Sequence, residues 1–129
     1  MGGYRNLEVY TVAYELSLKT HRMSLALPLF EKFEEGSQIR RSSKSVCANI
    51  VEGFALRKHK NEYIHHLYRA YGSCEETIFH LQILFDAGSM NDKELYDELV
   101  VSYRNLCGKL FNFIRAIERN YQKPNYLQT

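Results

Sequence analysis

Apolar positions recur along this chain at steps of three and four, the period of an α-helix with one covered face. Four segments show it. The first, about 7–27, carries Val9, Val12, Leu16, Thr20, Met23 and Leu27 on one stripe. A second stripe on the same segment holds Leu7, Tyr10, Tyr14, Leu18, His21 and Leu25, and Pro28 then stops or bends the helix. The next segment, about 37–56, places Ile39, Val46, Ile50 and Phe54 together, with Ser37 as the expected N-cap after Gly36. The third, about 61–87, alternates Ile64, Leu67, Tyr71, Cys74, Ile78, Leu81 and Phe85, and Gly88 follows as the expected C-cap. The fourth, about 92–121, is capped by Asn91 or Asp92 and seamed by Leu95, Leu99, Tyr103, Leu106, Leu110, Phe113 or Ile114, and Ile117. Period-two alternation is absent. The pattern predicts one all-α domain over 1–129, an antiparallel up-down-up-down four-helix bundle with a loose tail at 122–129.

The second stripe of the first helix, with Tyr63, Tyr68, Ile83 and Leu84 on the third, exceeds what a simple seam needs. Two readings are open: a wide buried face within one bundle, or extra faces covered by copies of the same chain. The latter is favoured. The second helix poses the opposite puzzle. Its stretch QIRRSSKSVCANIVEGF puts small and polar residues where leucine would hold better. Small residues let another backbone approach closely, and Ala70, Gly72 and Ser73 supply a matching patch on the third helix. Glu52 lies near a helix C-terminus, where the macrodipole disfavours an acid, so a buried Glu52 requires a partner. Arg69, Arg115 and Arg119 are the candidates, with Asn49 one turn away to brace the carboxylate. Asn49 and Glu52 read as a structural polar network and not as catalytic groups.

These residues carry a resemblance. Gln38-Ile39-Arg40-Arg41, then Ser45, Asn49, Ile50, Glu52 and Gly53, then Ala70, Gly72, Ser73 and Glu76, resemble the pattern of a bacterial four-helix-bundle family, the ribosomal-RNA intervening-sequence proteins. The similarity runs from about Leu7 to Tyr121. It implies a cytosolic bundle assembled as a ring-like homopentamer. The chain is also distantly similar to the accessory variability protein of diversity-generating retroelements, which binds RNA and a reverse transcriptase. That likeness makes structured RNA, or a partner protein such as a reverse transcriptase, an expected partner. Cys47 and Cys74 depart from the family pattern, where apolar residues are common, and the first helix is unusually aromatic.

Composition changes this picture little. The chain has 129 residues, 45% hydrophobic and 25% charged, within the range of one soluble domain. Its three cysteines form no CxxC pair and sit in separate apolar patterns, as reduced core residues of a cytoplasmic protein do. No secretory leader or membrane span is expected. The net charge of +2 names no polyanion, but its distribution is informative. Antiparallel order sends Arg5, Arg57, Lys58, Lys60, Arg115, Arg119 and Lys123 to one pole, diluted by Glu8, Glu62 and Glu118. The other pole collects Glu31, Glu34, Glu35, Asp86, Asp92, Glu94, Asp97 and Glu98. A ring would multiply the basic pole into a phosphate-binding rim, with Arg57, Lys58, Lys60, Arg115 and Arg119 as its contacts. Arg40 and Arg41 fall near the acidic pole, where Glu34, Glu35, Asp97 or a subunit interface would engage them.

Enzyme chemistry finds no footing. Glu62 and His65 form one Glu-x-x-His spacing without the second copy that a two-metal bundle uses. Glu76 and His80 are four apart, a spacing common by chance. His65 and His66 are adjacent and so point in different directions. No phosphate loop, nucleophile elbow or zinc-protease motif occurs. No cofactor or metal is expected. The expected function is a non-catalytic RNA-binding accessory protein; the alternative is a scaffold that holds a partner enzyme without touching RNA.

Overall fold

The computed structural model describes residues 3–120 of the chain. A single 3-10 turn, Tyr4–Asn6, leads into α1 (Glu8–Leu25). A four-residue helix, α2 (Leu29–Lys32), precedes α3 (Glu35–Ala55), and α4 (Lys60–Asp86) and α5 (Lys93–Asn120) follow. The four long helices close an all-α four-helix bundle in which α1 packs on α3, α3 on α4, α4 on α5, and α5 returns to α1. The described residues contain no strand. None of their helices is long and apolar enough to cross a membrane. The expected loose tail at 122–129, Lys123 with it, lies outside the described residues.

The core follows the predicted seams. Leu67, Cys74, Leu81 and Leu84 of α4 meet Leu99, Tyr103, Leu106, Leu110 and Ile114 of α5, all within the buried cluster. Ile39, Val46 and Ile50 come from α3, and Val9, Ala13, Leu16, Met23 and Leu27 from α1 and its exit. Tyr63 and Leu84, expected to be spare, are buried inside the bundle, whereas Tyr68 and Ile83 are exposed. Much of the second α1 stripe stays outside: Tyr14, Leu18 and Leu25 are exposed.

The ends of the helices show where local chemistry decides the boundaries. Gly88 takes φ +81°, the left-handed conformation that ends α4 as expected. The Asp92 carboxylate accepts from the Leu95 N–H at 3.0 Å and caps α5. Ser37 caps nothing, because α3 starts two residues earlier. There the Glu31 carboxylate reaches forward from α2 and accepts the Glu35 N–H at 3.3 Å. A cap supplied by the preceding turn replaces one supplied by the helix itself.

Ser42, Ser45 and Gly53 of α3 face α4, the pair of helices in richest contact. Ser42 and Ser43 are buried. Ser42 shares a hydrogen bond with Thr77 at 2.8 Å, and Ser45 with Ser73 at 2.8 Å. A Cβ on Gly53 would stand 3.0 Å from the His66 Cβ and 3.4 Å from the Tyr63 carbonyl oxygen. Gly53 is therefore a close-approach residue. Gly72 belongs to no such contact: a Cβ there meets nothing within 4 Å.

Candidate nucleic-acid interface

The α3–α4 turn and the C-terminal end of α5 meet at one pole. Lys60 opens α4, and its Nζ donates to the Glu118 carbonyl of α5 at 3.2 Å. Tyr68, two turns along α4, donates its hydroxyl to the Glu118 carboxylate at 3.4 Å. Arg57 and Lys58 are exposed on the turn, and Arg115 and Arg119 are exposed on α5. The predicted set Arg57, Lys58, Lys60, Arg115 and Arg119 thus occupies one end of the molecule.

Among the described residues, three arginines at or near this end lie on aromatic rings. The Arg57 guanidinium sits 4.0 Å from the Phe54 centroid, while its Nη1 donates to the Phe54 carbonyl at 3.0 Å. Arg5 lies 4.8 Å from the Tyr4 centroid and Arg115 lies 5.6 Å from that of Phe111. A ring beneath a guanidinium holds its plane while leaving outward N–H groups for a second acceptor. The 3-10 turn bearing Tyr4 and Arg5 packs on α3 and α1.

Beside the pole, α1 presents aromatic rings. Tyr4 meets Tyr10 edge-on at 4.9 Å, and Tyr10 stacks with Tyr14 at 5.8 Å and 23°. Burial, followed by the neighbouring Tyr4, pushes the Tyr10 phenol up; Arg5 pulls the other way. Arg5, Tyr10, Thr11, Tyr14 and Glu15 line an open pocket of about 460 Å³. Antiparallel order alone places Arg5 at the pole but does not join it to these tyrosines. The i, i+4 spacing of Tyr10 and Tyr14 is the available sequence signal.

The expected Glu52 network takes a different form. Glu52 is 61% exposed at its side chain, so no buried charge calls for an arginine. Arg69, Arg115 and Arg119 are all exposed. The nearest cationic candidate is His66, whose Nδ1 stands 3.9 Å from the Glu52 carboxylate and 3.2 Å from the Asn49 amide oxygen. Asn49 donates its amide N–H to the Ser45 carbonyl at 3.0 Å and lies 3.2 Å from the Ser45 hydroxyl. Asn49 therefore organises a polar cluster between α3 and α4, with His66 in the place expected for an arginine.

At the opposite pole, Arg40 and Arg41 pair with none of the expected acids. Arg40 donates to the Ser24 hydroxyl and the Lys32 carbonyl, each at 2.9 Å. Arg41 is exposed and donates to the Gln38 side chain at 2.7 Å. Arg40 thereby ties α2 to α1 and α3, helped by the buried Glu31, which accepts from Ser89. The outer side of this braced turn carries Leu29, Phe30 and Phe33, which are 71%, 69% and 69% exposed. His80 spans α3 and α4: its Nδ1 is 2.7 Å from Glu35, and its Nε2 is 3.1 Å from Glu76.

Comparison with known proteins agrees with this architecture. No curated protein matches the sequence. A crystal structure of a protein with unknown function, from the S23 ribosomal protein family of Bacteroides thetaiotaomicron VPI-5482, superposes with a TM-score of 0.75. It is 22% identical and the match covers 83% of this chain and 95% of that one, a likeness of fold. Residues 5–112 match the model of the 23S rRNA-intervening sequence proteins, a span holding the Gln38–Arg41 start, the Asn49–Gly53 stretch and the Gly72-Ser73 step. The chain belongs to the 23S rRNA-intervening sequence protein family.

Proposed function

We propose that the protein is a non-catalytic, cytoplasmic RNA-binding accessory protein that works as a homo-oligomer, a pentameric ring with its basic poles on one face. One observation carries the reading: the fold joins the Arg57–Lys60 turn to the α5 end through the bond from Lys60 to the Glu118 carbonyl. Cations from separate parts of the sequence converge there, and phosphate neutralisation is the dominant, salt-dependent part of nucleic-acid affinity. The family description, which refers to 23S rRNA, adds support for RNA as the polyanion. Exposed Leu18 and Leu25 support self-association, since α1 leaves them uncovered within one chain.

Fluorescence anisotropy of a structured RNA across a salt series tests this. Native protein is expected to bind with a steep loss of affinity as salt rises. The Arg57→Ala/Lys58→Ala/Lys60→Ala variant should flatten the slope by about 1 for each phosphate that it no longer neutralises. Absence of binding at low salt rejects the reading for that RNA. Sedimentation of the native 15.2 kDa chain as a monomer at micromolar concentration rejects the ring.

A second reading has its own observation. Leu29, Phe30 and Phe33 are held outward at the pole opposite the Arg57–Lys60 turn, and exposed aromatic anchors on a braced element suit a protein partner. A scaffold that holds an enzyme such as a reverse transcriptase would use this surface. A partner retained at high salt and lost in Phe30→Ser/Phe33→Ser supports it over direct RNA binding.

A further inference from the structure

Bundle packing accounts for Tyr10 of α1 but not for Tyr14. Tyr10 is half-buried and touches the core, but Tyr14 is 47% exposed and still stacks on it. Tyr4 stands edge-on at the upper end, and the Arg5 guanidinium lies against Tyr4 on the side of the basic pole. Arg5, Tyr10, Thr11, Tyr14 and Glu15 line a pocket of about 460 Å³ that is open to solvent. We infer that this pocket is a stacking site for unpaired bases of a single-stranded RNA segment, with Arg5 holding a phosphate of the same segment. The inference rests on the RNA-binding reading above and names the kind of RNA that it prefers.

The chemistry selects the ligand. Every base offers a π-face, so an aromatic platform beside a cation binds single strands with little regard to sequence. Bases in a duplex already stack on one another and have no free face to give, and the A-form major groove is too narrow for side chains. Glu15 refines the orientation. Its carboxylate repels phosphate, so the backbone tracks along Arg5 while base edges turn toward Glu15 and Thr11, where N–H groups find acceptors. The same stripe beyond Tyr14 continues as Leu18 and Leu25, which carry no ring and belong to the self-association surface. Stacking capacity is thus concentrated next to the pole, and Arg57 over Phe54 repeats the guanidinium-on-ring arrangement there.

A single-stranded RNA of about 8–10 nucleotides containing 2-aminopurine, beside a duplex with the same number of phosphates, tests the site. Native protein should bind the single strand more tightly and quench the 2-aminopurine. Tyr14→Ala should weaken single-strand binding by about 5- to 150-fold and relieve the quenching, with duplex binding unchanged. Tyr14→Phe should keep both signals, because the ring is retained. Tyr14 is exposed, so circular dichroism should show both variants folded. Unchanged single-strand affinity in Tyr14→Ala, with the Arg57/Lys58/Lys60 variant still impaired, overturns the stacking site and leaves the basic pole standing. No binding of either RNA by native protein overturns both. A drop in sedimented mass for Tyr14→Ala overturns the inference by making the ladder a contact between copies.

Discussion

Gly53 and Gly72 each lie inside a helix, and a methyl group added to either would meet a different environment. At Gly53 it meets the His66 Cβ at 3.0 Å, an atom fixed to its own backbone. Alanine returns about 1 kcal/mol of helix propensity, but forcing α3 from α4 costs about 1–3 kcal/mol. Gly53→Ala is expected to lower stability by up to about 2 kcal/mol in urea unfolding. Gly72→Ala meets nothing, so it should raise stability by about 0.5–1 kcal/mol. Sequence alone does not separate the two glycines, since both lie inside a helical pattern. Which one faces the neighbouring helix depends on rotation, and a shift of one residue turns a side chain by about 100°. Glu52 is illegible for a related reason. Its position near a helix end can be read from sequence, but its 61% exposure is set by packing.

The long helices are legible because each carries a sustained apolar seam; α2 is not. Four residues hold too little pattern to separate a helix from a bend. Its stability comes from tertiary partners: Arg40 on the Lys32 carbonyl and Ser24 hydroxyl, and Glu31 between Ser89 and the Glu35 N–H. Gly36 leaves room for them, since a Cβ there would stand 3.2 Å from the Arg40 Nη1. Arg40→Met removes both charged hydrogen bonds and should cost about 1.5–3 kcal/mol. Hydrogen exchange should rise first in the amides of 29–36, while those of α4 keep their protection. Equal loosening across all helices would show that Arg40 supports the whole bundle and not one turn. The same limit hides the α1 pocket. In sequence its tyrosines read as a surplus stripe, and the nearness of Arg5 depends on the 3-10 turn folding back beside them.

Across the whole molecule, buried protonated groups set a limit at high pH. Burial pushes the Tyr103 phenol well above its ordinary 10.0, with its hydroxyl 2.7 Å from Thr20. The adjacent Cys107 thiol and then burial push the Cys74 thiol above its ordinary 9.0. Both groups are protonated in either state below the unfolded values, so their stabilisation is complete there. As pH rises past about 9–10, the unfolded chain ionises first and stability falls. Urea unfolding at neutral pH and at about pH 10 should show that loss, and Tyr103→Phe should reduce its slope. That variant should also cost about 1–2 kcal/mol at neutral pH, where the buried Thr20 hydroxyl is left without its partner. The richest helix pairing, α3 with α4, joins neighbours in the chain, and the pairing of α1 with α5 joins its first and last long helices more thinly. During synthesis this order has a consequence. The α3–α4 hairpin can form while α5 is still being translated, because its loop is short and its contacts are local. The α1–α5 seam waits for the last helix to emerge. A chain released before Tyr103 would keep the hairpin but leave the Cys74 thiol without the carbonyl that accepts it, and the unfinished side of α4 would be the surface a chaperone meets.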